Sequence, residues 1–257
     1  MILTRRAALD GDMLDELHDA IVIRGIDAGT PKESLQAVNR MGGAGQRVIL
    51  RHMETLEAKV TFAIDIPKRR IAERREVFDL VKDRALRGGW LTVSERPGKK
   101  MWAEKVIMPD AGDLWDWTRD WDILFRAYGV PFWVDENPAS VTVPNITSGT
   151  AQITVPGDEE TVLDVKFENI SGQNIPNFSV GAGGKTLELT GVNLGAGQTL
   201  EIYHTPDGLL RAVKGTESVY GLLGGADDLN VKPGDVTVTV AATRAGKLTV
   251  SCAGRYL

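Results

Sequence analysis

A single cysteine, Cys252, in 257 residues excludes an intramolecular disulfide, so burial alone must hold the chain together. At this length roughly three quarters of the extended surface is buried on folding, which is enough without staples or metals. Long apolar runs are also missing. None approaches the roughly 20 residues that would span a bilayer. The basic start Met1-Ile2-Leu3-Thr4-Arg5-Arg6 is followed by Asp10, Asp12, Asp15, Glu16 and Asp19, where a signal peptide needs its apolar core. The expectation is a soluble chain, made in the cytoplasm and not exported. Positive charge is not in excess, since the formal net charge is −5. That excludes a nucleic-acid or anionic-membrane binder as the first reading.

The groups that build reactive sites are as sparse. His18, His52 and His204 lie far apart and without ligand-type spacing, so they read as isolated surface or strand histidines, with no metal and no cofactor expected. Gly184-Lys185-Thr186 ends like a phosphate-binding loop, but Ser179 stands where that motif needs glycine and no helix pattern follows; a β-turn is expected. There is no G-x-S-x-G, and Cys252 reads as a small core residue. Asn145-Ile146-Thr147 matches a glycosylation acceptor only if the chain is secreted. The acids Asp113, Asp116, Asp120 and Asp122 could suggest a glycosidase pair or a calcium site. Catalytic carboxylates, however, must face each other across about 5–9 Å, which one strand does not provide. An enzyme is not expected.

What is present falls into two halves. All six tryptophans lie between Trp90 and Trp133, and after Asn137 arginine is reduced to Arg211, Arg244 and Arg255. This shift places a domain boundary at Asp135-Glu136-Asn137-Pro138, giving domains 1–136 and 137–257. In the first half, Ile71, Phe78, Val81 and Ala85 share one face of a helix entered near Pro67 and closed by Gly88-Gly89; Val77 and Leu80 widen the face. Arg69, Arg70, Arg74, Arg75, Lys82 and Asp83 are assigned to the solvated side. Leu56 to Ile66 alternates as a strand. Trp90–Val93 and Met101–Met108 form a hairpin about Arg96-Pro97-Gly98-Lys99, and Trp115 to Phe125 forms a strand with an aromatic and an acidic face. Asn39, Arg40, Met41, Gly42, Gly43, Ala44 and Gly45 form a glycine-rich segment that is costly to order.

The second half reads as β throughout, with strands at 150–155, 161–168, 186–190, 199–204, 208–213, 235–241 and 247–252. Its turns carry Pro-Gly-Asp, Gly-Ala-Gly-Gly and Thr-Pro-Asp-Gly. Short strands at regular spacing imply a β-sandwich or jelly roll. It has no tryptophan, and Phe167, Phe178, Tyr203, Tyr220 and Tyr256 are spread widely. Asp158-Glu159-Glu160 and Asp227-Asp228 read as solvated turn residues.

The order strand, helix, Leu86-Arg87-Gly88-Gly89-Trp90-Leu91, Arg96-Pro97-Gly98-Lys99, Asp113-Leu114-Trp115 to Tyr128 and Pro131-Phe132-Trp133 resembles the siphophage distal tail proteins (Dit). Gly254-Arg255-Tyr256-Leu257 is similar to that family's closing segment. The resemblance implies a mainly β protein: an N-terminal tail-tube-like β-sandwich or split barrel with one α-helix, and a C-terminal galectin-like β-sandwich. It further implies a homohexameric ring in the virion tail tip, joining the tail tube protein to the tail hub or tail-associated lysin, with a central channel for DNA. From its glycines the segment Asn39–Gly45 reads either as an ordinary flexible hairpin tip or as a candidate assembly loop, mobile in the subunit and fixed on contact with a neighbour or the tail tube. Between Asn137 and Leu257 there is no room for the inserted arm that some members carry. The alternative reading is a carbohydrate-binding module recognising a host-surface glycan, and fold alone does not decide between them.

Overall fold

The computed structural model describes residues 5–39, 46–109 and 120–257, with side chains described at all of these except 35–39 and 46–52. It divides into two compact units, Met1–Trp133 and Val134–Leu257. Most of the described residues are in strands, with one α-helix among them.

The first unit contains β1 (Ala7–Leu9), β2 (Asp12–Met13), β3 (Ile21–Asp27), β4 (Lys32–Asn39), β5 (Gln46–Ile64), α1 (Ile71–Leu86), β6 (Gly89–Val93), β7 (Lys99–Ala103), β8 (Lys105–Ile107) and β9 (Asp120–Ala127). Strands β2-β1-β6-β7 lie side by side in one sheet and β3-β5-β9-β8 in another. The helix packs on the second sheet through Phe78, whose ring lies 4.9 Å from Trp121 and 6.2 Å from Phe62. Phe62 and Trp121 are cross-strand partners on β5 and β9, so the alternation that buries Leu56, Ala58, Val60 and Phe62 creates the helix seat. Trp133 is fully buried, and its indole N–H donates to the Ala28 carbonyl at 3.0 Å.

Several expectations are corrected here. Arg74 is buried and Leu80 is 41% exposed. Counting along the helix explains both: residue 74 is three after Ile71 and four before Phe78, on the apolar line, whereas Leu80 is two beyond Phe78 and points away. Pro67 lies in a turn before the helix, its carbonyl accepting from Arg70 N–H at 2.8 Å. Met101–Met108 is not one strand. It divides at Glu104, whose N–H donates to the Arg126 carbonyl and whose carboxylate accepts from Tyr128 and Gly129 N–H at 3.1 and 2.6 Å. The expected strand from Trp115 is described only from Asp120; Asp113, Trp115, Asp116 and Trp117 lie outside the described residues.

The second unit begins inside β10 (Trp133–Asp135) and runs through β11 (Ala139–Val155), β12 (Thr161–Val162), β13 (Asp164–Asn169), β14 (Ile175–Ala182), β15 (Lys185–Leu194), β16 (Thr199–His204), β17 (Leu210–Lys214), β18 (Glu217–Ser218), β19 (Leu223–Gly225), β20 (Asn230–Val231), β21 (Gly234–Cys252) and β22 (Arg255–Tyr256). Strand β21 is its spine. On one edge it pairs with β11 along nearly its whole length; on the other it pairs first with β14 at Thr239–Ala242 and then with β13 at Gly246–Ser251. One strand therefore serves both faces of a sandwich, where two separate strands were expected. The crossing is at Gly246, where a Cβ would fall 2.1 Å from the Phe167 ring. Strand β11 bulges opposite, between Val143 and Ser148, as strands that turn sandwich corners do. Gly183 and Gly184, at φ 60° and 80°, link β14 to β15 through the closing pair Ala182 and Lys185. Two consecutive positive φ values are what a two-residue hairpin demands. The phosphate-loop lookalike is this turn.

Candidate functional site

Two features of the described structure go beyond what packing requires. The first is the length of the β4–β5 hairpin. From Leu56 onward β5 pairs with β9, joined from Lys59 by β3 on its other side, but from Gln46 to Thr55 it pairs with β4 alone. Ten residues of extended chain span roughly 33 Å. The last described pair is Asn39 with Gln46. Of the glycine-rich candidate loop only Asn39 is described; Arg40, Met41, Gly42, Gly43, Ala44 and Gly45 lie outside the described residues. The face of the β5–β9 sheet opposite the helix is charged: Arg126 meets Glu57 at 2.5 Å, and Asp122 meets Lys59 at 3.5 Å and the Thr61 hydroxyl at 2.5 Å. Of the acids of β9, Asp122 is thus matched from β5 by its cross-strand neighbour Thr61 and by Lys59.

The second feature is His204, expected to be isolated and found clasped. Its Nδ1 lies 3.0 Å from Asp164 Oδ1 and its Nε2 2.9 Å from Asp228 Oδ1, while its backbone N–H also donates to Asp164. The side chain is 8% exposed. Asp228 is correspondingly not a free turn residue. Burial opposes charge on both partners, pulling the imidazole down and pushing the carboxyl up. The hydrogen bonds and charges of Asp164 and Asp228 outweigh it at His204, whose pKa is raised to about 9; His204 in turn holds Asp228 below the ordinary carboxylate range. The sequence separations of 40 and 24 residues leave no local signal for this.

His204 titrates near 6.5 unfolded and about 9 folded, so its contribution is fully present below pH 6.5 and is lost as pH rises through 9. The size is about 3 kcal/mol, at 1.36 kcal/mol per pKa unit. Urea unfolding of the second unit between pH 6 and 10 should show this loss, and Asp228→Asn should flatten the curve; parallel curves for the two proteins would refute the clasp.

None of this makes a reaction centre. With both ring nitrogens occupied, His204 offers no lone pair to a substrate proton. Burial, followed by the charges of Asp135 and Asp164, pushes the Cys252 thiol up to about 11, so it is protonated and inert. Among the described residues no group of three or more His, Cys, Asp or Glu is arranged to hold a metal. An open groove of about 450 Å³ bordered by Glu160, Lys185, Lys232 and Asp235 contains no nucleophile–base pair. Trp121 and Trp133 are core, while Trp90 and Trp102 stack edge to face at 5.3 Å with Lys100 over Trp90.

No known protein-family model matches the chain, and no curated protein matches it either. Solved structures do. The Dit (gp 19.1) protein of phage SPP1, described as a paradigm of the hub adsorption apparatus in phages infecting Gram-positive hosts, superposes with a TM-score of 0.66 at 13% identity, over 96% of this chain and 98% of that one. A chain of the phage P2 baseplate in its activated conformation with Ca gives 0.56 at 11% identity, over 98% and 99%. A chain of the same baseplate activated with Sr gives 0.50 at 9%, over 96% and 97%. Identities this low speak for the fold: the chain has the mainly β, sandwich-containing fold of these tail and baseplate proteins, from end to end.

Proposed function

We propose that this chain is a structural component of a phage tail tip, a distal tail protein whose first unit closes a homohexameric ring. The ring joins the tail tube to the tail hub or a tail-associated lysin and leaves a central channel for DNA. The observation that carries this reading is the end-to-end correspondence with the SPP1 Dit protein, which leaves almost no part of either chain unmatched. A likeness confined to one unit would fit any sandwich protein; this one includes both units in order.

The residues support an adaptor rather than a catalyst. A ring needs extended edges and projecting elements that reach a neighbour, and the β4–β5 ribbon is such an element. In this reading Asn39–Gly45 is the assembly loop, and 1–136 is the ring-forming, tail-tube-like domain. The second unit, galectin-like in this proposal, sits at the periphery. The carbohydrate-binding alternative lacks an observation of its own: the second unit has no tryptophan, and its aromatic core pair, Phe167 and Phe178, is buried. Light scattering of the purified protein tests the proposal. A particle mass that is a multiple of six subunits is expected, and a strict monomer at every concentration would overturn it.

A further inference from the structure

The edges of the second unit are treated unequally. Its path of paired strands ends in β18 at one side, two residues long, and in β19 at the other, three residues long. Very short edge strands are one of the ways soluble proteins prevent unwanted sheet extension. The third edge, β11, is the opposite case. It is seventeen residues long and pairs with β21 on one side; among the described residues no strand pairs with its other side.

Nor is that edge guarded by charge. The chain is 25% charged, so a stretch of seventeen would carry about four charged residues, and lysine on an edge is the commonest protection. Ala139–Val155 carries none. Its only interruptions are Pro144 and the bulges between Val143 and Ser148, both at the sandwich corner. Beyond the corner, Ser148–Val155 is regular. Ala151, Ile153 and Val155 face the core, while Thr150, Gln152 and Thr154 are exposed in a polar row that continues onto β21 through Gln152–Thr237 and Thr154–Asp235 hydrogen bonds.

We infer that the outer edge of Ser148–Val155 is an interface between two copies of this chain, paired antiparallel across a two-fold axis so that the sandwich sheet continues from one copy into the next. A second copy is the occupant these residues fit. Self-pairing brings no like charges together, because there are none on the strand. It supplies a partner edge of equal length, which the two- and three-residue edges of this unit do not. A register centred on Gln152 places Thr150 opposite Thr154 and Ala151 opposite Ile153, so polar residues meet polar ones and core-facing residues meet core-facing ones. A two-fold contact is also closed, giving a discrete pair rather than a fibre from a long unprotected edge. The inference is independent of the proposed ring: if the first unit forms rings, β11 joins them in pairs, and if it does not, β11 makes a dimer.

Charge reversal between copies tests it. The full-length chain with Thr150→Lys and Gln152→Lys, and the same chain with Thr150→Glu and Gln152→Glu, place like charges across the two-fold in either nearby register. Both positions are exposed, so melting temperature should stay near that of the parent. Mass measured by sedimentation should fall by half in each variant and return to the parental value when the two are mixed in equal amounts. Recovery on mixing separates lost pairing from lost folding. Unchanged mass in both variants overturns the inference and leaves the edge to a strand of a different protein; halving without recovery in the mixture overturns it as well.

Discussion

Replacing Gly246 by alanine is expected to lower the stability of the second unit by about 3 kcal/mol, the upper range for forcing atoms into a packed core. The added Cβ would lie 2.1 Å from Phe167 Cζ and 2.6 Å from both Cε atoms. Phe167 has no exposed surface and its ring is 4.7 Å from Phe178, so it has nowhere to retreat without dislodging the centre of the sandwich. The backbone cannot move away either, because Gly246 pairs with Asn169 on one side and Ile146 on the other. For a unit of this size the melting temperature should fall by about 10 °C. A double-mutant cycle sharpens the result. Phe167→Leu removes the three clashing carbons, so Gly246→Ala should cost far less in that background than in the parent. Equal costs in both backgrounds would mean that the close approach is not what fixes glycine at this position.

The largest effect on assembly is expected from shortening the β4–β5 ribbon. Cutting it back to the pair Leu35 and Arg51, and closing it with Asn-Gly, keeps a hairpin turn while removing the tip. The described residues of the removed stretch pair only within the ribbon, whereas the helix seat begins at Leu56. The shortened protein should therefore keep the parental melting temperature. Ring particles should be lost, leaving subunits or the β11-linked pairs. If ring mass persists in the shortened protein, the ribbon is not the ring contact and the assembly role given to Asn39–Gly45 fails with it.

What could be read in advance follows a physical division. Local periodicity is visible wherever one face of an element meets a core: the alternation from Leu56, the helix face of Phe78, Val81 and Ala85, and the strand Thr199–His204 all have it. The ribbon half of β5 does not. Arg47-Val48-Ile49-Leu50-Arg51 places apolar residues consecutively, without the alternation that marks a strand with one buried face. Strand β14 escaped for another reason: Pro176 at a register shift and Gly181 within the strand imitate a loop. The continuous β21 reads as two strands because Ala245-Gly246 marks a turn in sequence but a sheet crossing in space. The clasp at His204 was illegible, since both its carboxylates come from distant chain segments. Arg74 shows a subtler failure. Its position in the helix period was correct for burial, and its charge argued the other way.

The measurement closest to the central claim is negative-stain electron microscopy of the purified full-length protein, with particle mass determined on the same sample. The account predicts ring-shaped particles with six-fold symmetry around an open centre, and a mass that is six subunits or a multiple of six. Particles without a central opening, or a monomer or dimer that persists at every concentration examined, would contradict it.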